Sequence, residues 1–66
     1  MNVNKLKGKI TEKGMNVEQL ADAIGTHPSS LYRKLNNFDK FTIGDALKIK
    51  EVLSLNDDEA CQIFLL

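Results

Sequence analysis

Sixty-six residues suffice for one domain and no more, so residues 1–66 are read as a single domain with little surface to spare for a deep catalytic pocket. Apolar residues at 42% and charged residues at 27% exclude collagen-like and disordered chains, and no apolar run approaches the ~18 residues of a membrane span. Nine basic and nine acidic residues cancel overall, but residues 1–35 are net basic (Lys5, Lys7, Lys9, Lys13, Arg33 and Lys34 against Glu12, Glu18 and Asp22) and residues 36–66 net acidic, so a neutral chain can still turn one face to an anion.

The opening MNVNKLKGKI alternates lysines with apolar residues and lacks the apolar core of a signal peptide, which points to a cytoplasmic protein. Val3, Leu6, Ile10 and Lys13 recur at helical spacing and predict a first amphipathic helix over 3–13. Gly14 follows where a left-handed C-cap favours glycine. Asn16 caps a second helix, with Gln19 three residues on completing a near capping box. That helix carries Leu20, Ala21 and Ile24 and stops at Gly25. Thr26 or His27 caps a third helix, Pro28 fits its first turn, and Leu31 and Leu35 form its buried stripe. Asn36 and Asn37 break it, and Phe38 and Phe41 anchor the following loop. Thr42 caps a fourth helix with Asp45 at its third position and an inner face of Ile43, Ala46, Leu47, Ile49, Val52 and Leu53. Asn56 caps a short fifth helix whose first turn holds Asp57, Asp58 and Glu59, where the helix dipole favours acids. Ala60, Ile63 and Phe64 form its apolar side. No strand alternation of useful length occurs, so the class is all-α, a compact bundle of about five short helices.

The stretch from Val17 to Leu35 is the informative part. Two short helices are joined by a tight connection containing Gly25, and Ala21 is small enough to let another helix approach closely. At 100° per residue, Ser29, Tyr32, Arg33 and Asn36 of the third helix fall near one stripe, away from Leu31 and Leu35. These hydrogen-bonding and cationic groups have no purpose in a core. A helix that shows such a face to solvent can enter a major groove.

The segment VEQLADAIGTHPSSLYRKL resembles the helix-turn-helix of the Cro/CI-type (Xre-like) DNA-binding proteins of phages and bacteria. The resemblance rests on Gln19-Leu20-Ala21, on Ile24-Gly25-Thr26 and on Leu31 at the family's spacing. The closing FTIGDALKIKEVLSLNDDEACQIF is similar to the last two helices of short phage regulators of this group, so the likeness spans nearly the whole chain. It implies a lambda-repressor-like domain with the motif at helices two and three. Two positions depart from the family's habit. Thr26 stands where Val or Ile is common, and Lys34 stands where an apolar residue is usual. Lys34 then either lays its stem over the core, or the helix turns so that Leu35 packs in its place.

The resemblance implies that base edges are read from the start of the third helix, which here means Pro28, Ser29 and Arg33. Arg33 is the strongest of these, because a guanidinium bonds guanine bidentately; Ser29 suits several bases and specifies weakly. Pro28 offers only an apolar touch to a thymine methyl. The family's phosphate contacts come from the start of helix two and the flanks of helix three. In this chain those positions are Asn16, Gln19, Thr26, His27, Ser30, Lys34, Asn37 and Lys40. Tyr32 either joins them or half-covers the core. For Asn16, Thr26 and Asn37 the simpler reading is capping or turn formation, and one residue can do both.

Other side chains carry less. His27 lacks the partners of a metal site, Cys61 has no identifiable base and reads as a small core or interface residue, and Asp57 to Glu59 are explained by the dipole. Ile63, Phe64, Leu65 and Leu66 end the sequence with four apolar residues that one helix face cannot bury together. Either the first two are core and the last two fray, or the group is a self-complementary dimer patch. The expected function is a sequence-specific transcriptional regulator, a phage or bacterial repressor that binds double-stranded operator DNA as a homodimer. No catalytic step, small-molecule substrate or membrane partner is expected. The alternative is a protein-binding helical module, an anti-repressor or adaptor of the same fold, which the neutral charge and apolar tail favour.

Overall fold

A computed structural model describes residues 1–37 and 41–65. The expected loop anchor Phe38, the phosphate candidate Lys40 and the dimer candidate Leu66 lie outside the described residues.

Five helices follow in order: α1 (Val3–Glu12), α2 (Val17–Ala23), α3 (Pro28–Asn36), α4 (Ile43–Val52) and α5 (Asp57–Phe64). No strand occurs among the described residues, so the chain is all-α. Each start is set by a side chain a few atoms away. Asn2, Asn16, Thr42 and Asn56 each accept the backbone N–H three residues on. In the last three the third helical residue (Gln19, Asp45 or Glu59) also accepts the cap's own N–H, so two otherwise orphaned donors are satisfied together. At α3 the cap is His27, not Thr26. Gly25 takes φ +79°, a left-handed value that any Cβ would strain, and this reverses the chain between α2 and α3. The Thr26 N–H returns to the Ala21 carbonyl at 2.9 Å and closes the turn.

The core gathers Leu6 and Ile10 of α1, Leu20 and Ala21 of α2 with Ile24, Leu31 and Leu35 of α3, Ala46 and Ile49 of α4 with Leu53, Leu55, and Ala60, Ile63 and Phe64 of α5. Ala21 is wholly buried, and the missing bulk lets α2 pack closely on its neighbours. Phe41 and Phe64 stack with centroids 5.7 Å apart and close one edge of the core. The chain start is pinned to α5, because the Asn2 N–H reaches the Ile63 carbonyl at 2.7 Å. The ion pair between Lys9 and Glu59 joins the same two helices.

One expectation changes, one further core residue appears, and the apolar end divides between core and surface. Ile43 is 68% and Leu47 55% exposed, so neither belongs to the inner face of α4. That helix is apolar on more than one side, and Ala46, Ile49 and Leu53 take the place against α2 and α5. Leu55, between α4 and α5, is buried and was not anticipated. Ile63 is fully buried and Phe64 nearly so; both belong to the core, and a partner chain cannot reach Ile63. Leu65 alone among the described members of that apolar end is well exposed.

Candidate nucleic-acid interface

The α2–turn–α3 unit decides what α3 shows to solvent. Leu31 and Leu35 anchor one side of α3 in the core. At 100° per residue the direction opposite their midpoint falls on Arg33, with Ser29 and Asn36 both to one side of it, and all three are exposed. The Arg33 side chain has no hydrogen bond or ion pair among the described residues. Pro28, the first residue of α3, is half-buried, and Tyr32 is 45% exposed at the edge of the stripe.

Lys34 lies round the helix from Arg33, and its position answers the question raised by its unusual residue type. Its ammonium bonds Oδ2 of Asp45 at 2.9 Å, and both side chains are mostly covered. The same carboxylate oxygen accepts the Thr42 N–H at 3.1 Å. Burial works against the Asp45 charge, but the Lys34 ammonium and the hydrogen bonds of Thr42 outweigh it and hold the carboxyl below its ordinary value. Lys34 is therefore engaged by the protein itself, and its cation braces α3 against the start of α4. Sequence reasoning placed Asp45 in a cap and missed this second role, because the partner is eleven positions away on another helix.

The other positions fall on the flanks. Asn16 and Gln19 are exposed at the start of α2, and the capping box uses their oxygens, which leaves their amide N–H groups to donate outward. Thr26 and Ser30 are half-buried, and the Ser30 N–H is taken by the His27 carbonyl at 3.0 Å. Asn37 is exposed and donates its N–H to the Arg33 carbonyl at 2.8 Å, ending α3. His27 is exposed, and its Nδ1 lies 3.2 Å from the Ser29 nitrogen and 2.7 Å from Ser29 Oγ. The Ser29 hydroxyl is thus held within the protein, a bond that the cap position of His27 hints at but that residue type alone does not reveal. Among the described residues, the Arg33 cation and the amides of Asn36, Asn37, Asn16 and Gln19 lie exposed on α3 and at the start of α2. Such a surface can donate to phosphate oxygens and read base edges.

No group of three or more His, Cys, Asp or Glu side chains among the described residues is placed to hold a metal ion, and no described helix is long and apolar enough to cross a membrane. Comparison with protein-family models, with curated proteins and with solved structures finds no match.

Proposed function

We infer that this is a sequence-specific DNA-binding regulator of transcription, a cytoplasmic repressor with a lambda-repressor-like arrangement of Cro/CI type, which lays α3 in the operator major groove. The observation that carries this reading is the outward stripe Ser29, Arg33 and Asn36 on a helix whose opposite side is locked in the core by Leu31 and Leu35. The resemblance of residues 17–35 to that family points the same way. Arg33 reads a base; Asn16, Gln19, His27 and Asn37 steady the duplex through phosphates. No catalytic step is involved. Lys34 is already paired with Asp45, so phosphate neutralisation rests on few cations, and the dependence of affinity on salt is shallow.

The protein acts on DNA as a homodimer, since two recognition helices about 34 Å apart match successive major grooves. The exposed Ile43 and Leu47, one turn apart on α4 with Leu47 beside Cys61 of α5, offer the contact in place of Ile63 and Phe64. Two side chains fall well short of the ~800 Å² per partner of a stable complex. The pairing is therefore weak alone and takes hold when a duplex brings two copies together.

Fluorescence polarisation with a labelled random duplex at low salt tests the reading. Binding that weakens as salt rises is expected; an absence of binding would remove it. The same Ile43–Leu47 strip favours a second reading, a module that docks on another protein, and that reading gains if the duplex is not bound.

A further inference from the structure

A serine hydroxyl has one hydrogen and two lone pairs, so a free serine bonds donors and acceptors alike and discriminates poorly among bases. The surroundings of Ser29 remove that freedom. Both its backbone nitrogen and its Oγ lie within hydrogen-bond distance of one atom, Nδ1 of His27, at 3.2 and 2.7 Å. A backbone N–H can only donate, so Nδ1 carries the lone pair and the imidazole proton is on Nε2. A bare Nδ1 can only accept, so the hydroxyl of Ser29 is a donor to it. Its one hydrogen is consumed inside the protein, and the oxygen turns only lone pairs to solvent. Local covalent geometry stiffens the arrangement. His27 precedes proline and is confined to extended backbone, as its φ −75° and ψ 141° show, and Pro28 fixes the next φ.

We propose that Ser29 is a specificity-determining residue that presents an acceptor alone and selects a base amino group, N6 of adenine or N4 of cytosine, on the strand it faces, with His27 as the positioning residue that imposes this. Guanine and thymine offer O6, N7 or O4 at that place, and their lone pairs oppose those of Ser29. The inference rests on the DNA-binding reading and sharpens it: a position left loosely specified by residue type becomes a choice of amino over keto bases. The same tautomer leaves His27 an Nε2–H to donate, which suits a neighbouring phosphate oxygen.

Selection of bound sites from a random duplex library tests this with the intact protein, Ser29→Ala and His27→Gly; glycine keeps most of the cap while removing the imidazole. Wild-type sites are expected to show one position per half-site enriched about fivefold for adenine or cytosine over guanine or thymine, the worth of one hydrogen bond. Ser29→Ala abolishes that preference. His27→Gly releases the hydroxyl and lets keto bases return at the same position only, with thermal melting used to show that the variant is folded. Keto enrichment at the Ser29-dependent position, or a wild-type preference that neither variant alters, overturns the proposal. No enrichment by the wild-type protein removes the DNA-binding reading and this inference with it. Nitrogen NMR of the His27 ring in the unbound protein separates the two: a proton on Nε2 is expected, and a proton on Nδ1 overturns the tautomer argument whatever the protein binds.

Discussion

Replacing Arg33 with alanine separates the cost to recognition from the cost to folding. The side chain points directly away from Leu31 and Leu35, is exposed, and has no partner among the described residues. Removing it opens no cavity and orphans no buried group. It sits in the last turn of α3, where a cation gains about 0.3–1 kcal/mol from the helix dipole, and alanine's higher helix propensity offsets part of that loss. The net change in folding stability is therefore expected within about 0.5 kcal/mol, typical of an exposed site. Binding is different. A guanidinium that bonds guanine bidentately contributes about 1–3 kcal/mol, so affinity for a selected operator duplex is expected to fall about 5- to 150-fold. Polarisation titrations of wild type and variant, with thermal melts beside them, measure both quantities. Site selection with the variant should show one base position relaxed. Unchanged affinity, or a uniform loss over all sequences with no relaxed position, would refute the assignment of Arg33 to a base edge.

Gly25→Ala meets open space but forces a Cβ into φ +79°; a loss of about 1–2 kcal/mol is expected in denaturant unfolding, and Gly25→Asn, which tolerates that conformation better, should lose less. Asp45 sets a pH dependence. Its folded pKa lies below the ordinary 3.8 because Lys34 and Thr42 outweigh burial, so its contribution is fully present above the unfolded value and is lost as the pH falls through the folded one. Denaturation midpoints followed downward from neutral pH should drop in that acid range, and Asp45→Asn should flatten the drop; an equal drop in the variant would show that other carboxylates set it. The paired substitution of Ile43 and Leu47 by lysine should leave the melting temperature nearly unchanged, because both side chains are already in water. It should abolish cooperative binding to a two-half-site duplex while leaving single half-site affinity intact, and persistent cooperativity would place the dimer contact elsewhere.

The helix starts were legible because a cap is a local device. Asn16 with Gln19, Thr42 with Asp45, and Asn56 each act over three residues, so the side chain and the N–H it satisfies lie in the same short stretch. The positive φ of Gly14 and Gly25 was legible for the same reason, since the residue type that tolerates it marks its place. The stripe Ser29, Arg33 and Asn36 followed from helical spacing once Leu31 and Leu35 were assigned inward.

What lay beyond the sequence depended on which elements meet. The amino acids of α4 are apolar on more than one side, and nothing local tells Ile43 and Leu47 from Ala46 and Ile49; packing against α2 and α5 makes that choice. The sequence leaves Ile63 and Phe64 open between core and dimer patch, and packing is what puts both in the core while Leu65 faces water. Lys34 finds Asp45 across a loop, and only the approach of α3 to α4 reveals that this cation is already bound. Residue order thus determined where most of the helices begin, where the chain turns, and which face of α3 is polar, because those are set within one or two turns of backbone. Tertiary structure decided which apolar side chains are covered and which charges remain available, because burial and ion pairing are properties of surfaces brought together from distant parts of the chain.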